Sequence, residues 1–138
     1  MPEPWERMWA EDAASKALGM TVVSVGSGRA EVSMVVRDDM VNGHELCHGG
    51  LIATLADSAF ALACNSHGPV TVAAGFTVDF LEPGRLGDTL VATAVERARR
   101  GRSGLYDVTV RRVGDPGDPG DPDDTVIAEF RGRSRTVG

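Results

Sequence analysis

The groups in this chain best placed to do chemistry lie within Asn42–Asn65, NGHELCHGGLIATLADSAFALACN. Asp57 puts a carboxylate into what otherwise reads as an apolar helix. Ionised carboxylates are rarely buried without a partner, because desolvation costs several kcal/mol. Asp57 is therefore either a structural acid bonded to Thr54 or Ser58, or a group held for catalysis. Its helix opens with His48-Gly49-Gly50. The first backbone N–H groups of a helix have no intrahelical acceptor. Glycine leaves them uncovered, and the positive end of the helix dipole favours a developing oxyanion there.

Other constellations are weaker. His44-Glu45-Leu46-Cys47-His48 contains three metal-ligand types, but its spacing matches no common zinc pattern and no second cluster completes it. We expect no metal. Cys47 and His48 are adjacent and rarely aim at each other, so they make a poor nucleophile–base pair. No serine sits in a G-x-S-x-G elbow, and no Walker or Rossmann phosphate loop is present.

Spacing sharpens the reading of the helix. Gly49 and Asp57 are eight residues apart, about 12 Å along one axis at 1.5 Å per residue. One carbonyl group could not readily touch both in the same subunit. Acting together, they would come from two antiparallel helices in a dimer. Thr54, Asp57, Ser58 and Asn65, with Gly50 and Ala61, fall within an arc of about 100° on a helical wheel. Such a small, polar stripe on an apolar helix is what close approach of a second subunit or a ligand requires.

The elements that must position these residues follow from the flanking patterns. Pro4 to Leu18 reads as one short amphipathic helix with Trp5, Met8 and Trp9 on one face. Met20–Val25 and Arg29–Val36 form a hairpin about Gly26-Ser27-Gly28. After a polar loop at Asp38–Cys47, the long helix runs from Gly49 to about Asn65. Val70–Leu81, Thr89–Arg97, Gly104–Val113 and Thr125–Arg135 are strand-like. Short turns between consecutive strands imply an antiparallel sheet wrapped around one apolar helix, an α+β arrangement. Residues 114–124, GDPGDPGDPDD, read as a flexible, solvated hairpin loop.

The 138 residues suit a single domain, 1–138. Twenty acidic against fourteen basic residues give a net charge of -6, which argues against a nucleic-acid partner. No apolar run approaches the eighteen residues of a membrane span, and MPEPWERMWAED lacks the apolar core of a signal peptide. Cys47 and Cys64 would lie roughly 25 Å apart along the helix, too far for a disulfide. The expectation is a cytoplasmic protein.

Taken in combination, Asn42, His48-Gly49-Gly50, Leu55-Ala56-Asp57, Ala59-Phe60, Asn65, Val78-Asp79-Phe80-Leu81, Pro83-Gly84, Gly87-Asp88 and Phe130-Arg131-Gly132 resemble the PaaI-type thioesterases of the hotdog fold. The resemblance spans about residues 15–138. It implies hydrolysis of acyl-CoA thioesters, often aryl or hydroxylated phenylacetyl-CoA in phenylacetate catabolism, with no cofactor beyond the CoA of the substrate. It also implies a homotetramer of hotdog dimers with sites at the dimer interface. By position, Asp57 corresponds to the family's catalytic acid and Gly49 to the backbone donor to the thioester carbonyl. Asn42 and His48 correspond to its supporting polar residues. Gly50 and Thr54 on the stripe are candidate substrate contacts. So are Arg99, Arg100 and Arg102, since guanidinium groups suit the phosphates of CoA, although a solvated turn explains the same arginines. Two rivals stay open. A hotdog dehydratase or hydratase would want a histidine paired with the acid, and a non-catalytic acyl-CoA-binding module would use Asp57 only as an anchor.

Overall fold

The computed structural model describes residues 2–114 and 124–137. Most of the GDP-repeat loop expected at 114–124 lies outside the described residues. Six strands join one antiparallel sheet: β1 Thr21–Gly26, β2 Arg29–Val35, β3 Thr71–Phe80, β4 Thr89–Arg100, β5 Ser103–Val113 and β6 Thr125–Thr136. Their spatial order is β1-β2-β4-β5-β6-β3, so β1 and β3 form the two edges. The long helix Gly49–Asn65 lies across the concave face. This is the expected α+β hotdog architecture.

The N-terminal helix expected as one piece is two, Pro4–Ala10 (α1) and Ala13–Ala17 (α2), and the long helix is α3. The physical reason is Asp12. Its carboxylate accepts a hydrogen bond from the Ser15 backbone N–H, starting a new helix at the residue that follows it. Aspartate is favoured at such caps and only weakly favourable inside a helix.

α3 is apolar nearly all round because it is surrounded. Leu55, Ala56, Ala59, Leu62 and Ala63 have no exposed surface, and Phe60 is packed between Tyr106 and Phe130 with ring centroids 5.5 and 5.8 Å away. Inward residues alternate along the sheet: Ala30, Val32 and Met34 on β2, Leu90, Ala92 and Ala94 on β4, and Tyr106, Val108 and Val110 on β5. Gly132 on β6 must lack a side chain, since a Cβ there would come within 2.8 Å of the Phe60 ring. A helix buried along this much of its surface is held in place by packing, which sets the positions of its polar residues to within a side chain's reach.

One edge is left unfinished. β3 exposes Val72, Phe76 and Phe80, with Val70 and Leu81 at its ends, and among the described residues no strand pairs with its outer side. A long, apolar, unpaired edge is a template for pairing with another chain.

Candidate active site

The loop before α3 is shaped by Asn42. Its side-chain oxygen accepts hydrogen bonds from the backbone N–H groups of His44 at 2.8 Å and Leu46 at 3.3 Å. The Asn42 N–H donates to the Leu46 carbonyl, and Glu45 takes a left-handed conformation at φ 61°. This turn delivers His48 to the start of α3, where the His48 N–H donates to the Met40 carbonyl. The His48 side chain is exposed and makes no hydrogen bond among the described residues. Asn42 thus builds the loop that leads into α3, with no acceptor for its amide N–H₂ among the described residues.

At the helix start, Leu51 and Ile52 N–H groups both donate to the His48 carbonyl. The N–H groups of Gly49 and Gly50 have no acceptor among the described residues. Gly50 is exposed and a Cβ there would meet nothing within 4 Å. Gly49 is different: a Cβ would sit 3.0 Å from the Phe80 ring. Glycine at 49 therefore lets an aromatic ring of the open edge strand lie against the very backbone that offers a free donor. Phe80 is the functional candidate that sequence reasoning missed. Its place beside Gly49 is a long-range contact with no local signature.

Asp57 is half-buried, and no group among the described residues donates a hydrogen bond to its carboxylate. The structural explanation expected from Thr54 or Ser58 does not hold. Thr54 Oγ1 donates back to the Gly50 carbonyl at 2.7 Å, and Ser58 Oγ meets Ser15 Oγ at 2.7 Å. Burial raises the Asp57 pKa above the usual carboxylate range, and the negative charge of Asp12 raises it further. An unpartnered carboxylate of raised proton affinity has the properties of a general base or a nucleophile.

The expected polar stripe divides. Gly50, Thr54, Asp57 and Ala61 remain at least partly accessible, whereas Ser58 and Asn65 turn into the protein. The three candidate arginines lie at the other end of α3, at and beside the β4–β5 turn. Arg99 and Arg102 line a cleft of about 370 Å³ with Cys64, His67 and Tyr106. Arg100 lines a separate groove of about 430 Å³ with Arg133 and Arg135. Within one protomer they do not converge with Gly49, because about 15 residues of helix, roughly 22 Å, intervene. No group of three or more His, Cys, Asp or Glu residues suited to a metal occurs among the described residues. No helix among them is long and apolar enough to cross a membrane.

Comparison with known proteins gives the family of this fold. The Thioesterase superfamily profile matches residues 44–117, which contain the α3 start, Asp57 and the open β3 edge. The acyl-coenzyme A thioesterase PaaI of Escherichia coli (strain K12) is 44% identical over 131 residues, 95% of this chain and 87% of that protein. The structure of the E. coli PaaI protein from the phenylacetic acid degradation operon superposes with a TM-score of 0.88 at 42% identity, covering 98% of this chain and 94% of that one. A Streptococcus mutans UA159 protein, smu.793, solved bound to acetyl CoA, superposes with a TM-score of 0.76 at 26% identity, covering 86% and 89% of the two chains. The chain belongs to the thioesterase superfamily, among the PaaI-type acyl-CoA thioesterases of the hotdog fold.

Proposed function

We propose that this protein hydrolyses acyl-CoA thioesters with an aryl or hydroxyphenylacetyl-type acyl group, releasing the free acid and CoA in the cytoplasm. The observation that carries the proposal is the pair of unsatisfied groups on α3. Among the described residues the Gly49 N–H lacks an acceptor and the Asp57 carboxylate lacks a donor, about 12 Å apart along one helix. Two copies of the chain joined along their open β3 edges, with their α3 helices antiparallel, would bring each Gly49 to the other copy's Asp57. Pairing of two such dimers gives a homotetramer, with residues 1–138 acting as one domain in each subunit.

In that site the thioester carbonyl oxygen accepts a hydrogen bond from the Gly49 N–H at the positive end of α3, with His48 and the Asn42 amide beside it. Asp57 of the facing copy then takes one of two courses. As a nucleophile it forms an acyl anhydride and expels CoA thiolate, and water hydrolyses the anhydride. As a base it removes a proton from a water that attacks the carbonyl, and the C–S bond breaks to leave thiolate. Gly50 and Thr54 flank the acyl group, and the Phe80 ring beside Gly49 suits an aromatic one. In the antiparallel pair, the nearer arginine cleft is that of the copy donating Asp57, only seven residues, about 10 Å, beyond that acid. Arg99 and Arg102 there would receive CoA phosphates, with Arg100 contributing from the rim.

A complementation experiment tests this reading. Asp57→Ala removes the acid. Gly49→Pro removes the N–H at a first-turn position that suits proline's backbone, and Gly49→Ala, which adds the same Cβ beside Phe80 but keeps the N–H, controls for the added contact. Asp57→Ala and Gly49→Pro alone should each release almost no thiol from phenylacetyl-CoA. Refolded together, random pairing leaves about a quarter of the sites with both native groups, so activity should return. Failure of the mixture to recover, with each variant forming native oligomers, would overturn the shared site. An altered double bond in place of free thiol would favour the dehydratase. Saturable CoA binding without turnover would favour the binding module.

A further inference from the structure

The inner face of the sheet carries one polar row that the proposed reaction does not explain. Strands β4 and β5 pair Glu96 with Tyr106 and then, after a bulge, Ala98 with Leu105 and Arg99 with Gly104. Glu96 and Tyr106 bond each other on the inner side. Simple alternation from Glu96 would send Arg99 to the outer face, where Arg97 pairs with Asp107. The extra residue at the bulge instead turns Arg99 back to the α3 side, opposite Gly104. Gly104 is paired in turn with Ser134 on β6. Arg99, Gly104 and Ser134 therefore form one inward row across three strands.

That row has a gap at its centre. A Cβ at Gly104 would lie 2.5 Å from the Ser134 hydroxyl and 2.8 Å from the Tyr106 ring, so glycine keeps the space open. The space belongs to the cleft of about 370 Å³ at the C-terminal end of α3. Cys64 and Tyr106, 3% and 1% exposed, close its floor. The Thr71 and Thr136 hydroxyls, 3.2 Å apart, close one side. Arg99 and Arg102, both exposed, stand at its mouth, on either side of the left-handed Gly101 of the β4–β5 turn (φ 57°).

The polar groups around this cleft are unequally satisfied. Among the described residues no carboxylate lines it. The nearby Glu96, close enough for its charge to act on Arg99, already holds donors from Tyr106 and His67. The last-turn carbonyls of Ala61 and Ala63, whose dipoles would repel an anion, take the side chains of Asn65 and Ser66. By contrast, Ser134 is 5% exposed and its hydroxyl has no hydrogen-bond partner among the described residues. The guanidinium groups of Arg99 and Arg102 make no hydrogen bond or salt bridge among them either. A buried hydroxyl without a partner is rare in a folded protein and calls for an account. Guanidinium groups only donate, and the serine proton is uncommitted, so all three await an acceptor.

We infer that Arg99, Arg102 and Ser134 form a binding site for a terminal phosphate dianion, seated over Gly104. Guanidinium forks match the oxygen pairs of a phosphate, and the Ser134 hydroxyl supplies a donor to its innermost oxygen. The closed floor suits a terminal group, which enters end-on. A diphosphate within a chain needs a groove open at both ends. Two sources present such a group: free inorganic phosphate, and the ribose phosphate monoester of a CoA thioester. The second source rests on the thioesterase reading above, and the site itself does not.

The test titrates the full chain with inorganic phosphate by calorimetry at fixed ionic strength, alongside Ser134→Ala, Arg102→Gln and Arg135→Gln. Arg135 follows Ser134 in sequence but lines the groove on the opposite face of the sheet, so its removal controls for diffuse charge. The expected result is one saturable site per chain, weakened about 10–100-fold in Ser134→Ala and in Arg102→Gln, the loss that follows removal of a hydrogen bond to a charged group. Arg135→Gln should change it far less. Absence of saturable binding, an unchanged affinity in Ser134→Ala, or equal losses in Arg102→Gln and Arg135→Gln would each overturn the site. Arg102 is exposed on a turn, so the comparison of Arg102→Gln with Arg135→Gln decides the matter should Ser134→Ala misfold. The source is read from the KM of phenylacetyl-CoA against that of phenylacetyl-dephospho-CoA. A KM about tenfold or more higher for the dephospho ester in the native protein, with the difference lost in Ser134→Ala, assigns the site to the substrate. Equal KM values, with phosphate still bound, assign it to free phosphate. If neither ester releases thiol, the thioesterase reading fails and the phosphate titration still decides the site.

Discussion

The two ends of α3 are built to opposite rules. At its C-terminal end nearly every polar group is paired. Asn65 donates to the carbonyls of Ala61 and Thr71 at 2.8 and 2.9 Å and accepts from the Thr71 N–H at 3.0 Å. Ser66 donates to the Ala63 carbonyl and accepts from the Gly28 N–H. His67 and Tyr106 converge on one Glu96 oxygen at 2.9 and 2.8 Å. Burial pushes the Glu96 pKa up, but the bonds from Tyr106 and His67, with the charges of His67 and Arg99, outweigh it and leave the group lowered. Among the described residues, the N-terminal end has free Gly49 and Gly50 N–H groups, an unbonded His48 ring and an unpaired sheet edge beside it. Groups satisfied within the fold stabilise it, and groups left unsatisfied are available to a substrate. One helix therefore carries an anchor at one end and, among the described residues, unsatisfied donors at the other.

Variants at the two ends should separate activity from stability. The largest effect is expected from Gly49→Pro. Loss of one oxyanion donor costs on the order of 10²–10³ in kcat. A Cβ at 49 would press on the Phe80 ring at 3.0 Å, so Gly49→Ala, which keeps the N–H, is the matched control. The melting temperature of Gly49→Pro should fall no further than that of Gly49→Ala, and a larger fall would show that this end is structural after all. Next comes Asn65→Ala, which strands the buried Thr71 N–H and carbonyl. About 1–3 kcal/mol is expected for each buried group left unpaired. Denaturant melts should show that loss while kcat of the folded fraction stays near the native value.

Asp57→Asn joins the two quantities. A carboxylate whose folded pKa is raised weakens the fold above that pKa and has no effect below its unfolded value near 3.9. The variant should therefore melt higher than the native protein at pH 7, on the order of a few °C. That gain should vanish as pH falls towards 4. An Asp57→Asn protein that melts lower at neutral pH would mean that the carboxylate has a stabilising partner. The smallest effect belongs to a region remote from both ends. Asp107 bridges Arg131 at 2.6 Å and Arg97 at 2.8 Å across the outer face of the sheet. Arg131, then Arg97, hold its pKa down to about 2, against a smaller opposing effect of burial. Its contribution is present above the usual carboxylate value and is lost as pH falls towards about 2. Such half-exposed pairs contribute about 0.2–1 kcal/mol each, so Asp107→Asn should shift neutral-pH melts slightly and thiol release not at all.

Much of the frame was legible because it follows from local patterns. The bounds of α3 come from Gly49-Gly50 at one end and from Asn65 before His67-Gly68-Pro69 at the other, and the chain folds between them. The six strands follow from β-branched content broken by Gly and Pro turns. The split between α1 and α2 was less visible. The bulky face of Trp5, Met8 and Trp9 suggested one continuous helix, while a single cap at Asp12 interrupts it. On the α3 wheel, Ser58 and Asn65 looked equivalent to Thr54 and Asp57. Their burial depends on Ser15, 43 positions away in sequence from Ser58, and on Thr71 at the start of β3.

The sequence by itself determined that a carboxylate and an uncovered helix start share one apolar helix, too far apart to serve one carbonyl. Those are properties of residue type and of a fixed rise per residue, and no tertiary contact alters them. Only the tertiary structure decided which polar groups are already spent. It gave Ser58 to Asp12 by way of Ser15, Thr54 to its own helix and Asn65 to β3, and it left Asp57 without a donor among the described residues. It also laid Phe80 against Gly49. Hydrogen-bond partners and ring contacts of this kind join residues distant along the chain. They are fixed by how the helix beds into the sheet, not by spacing within either element.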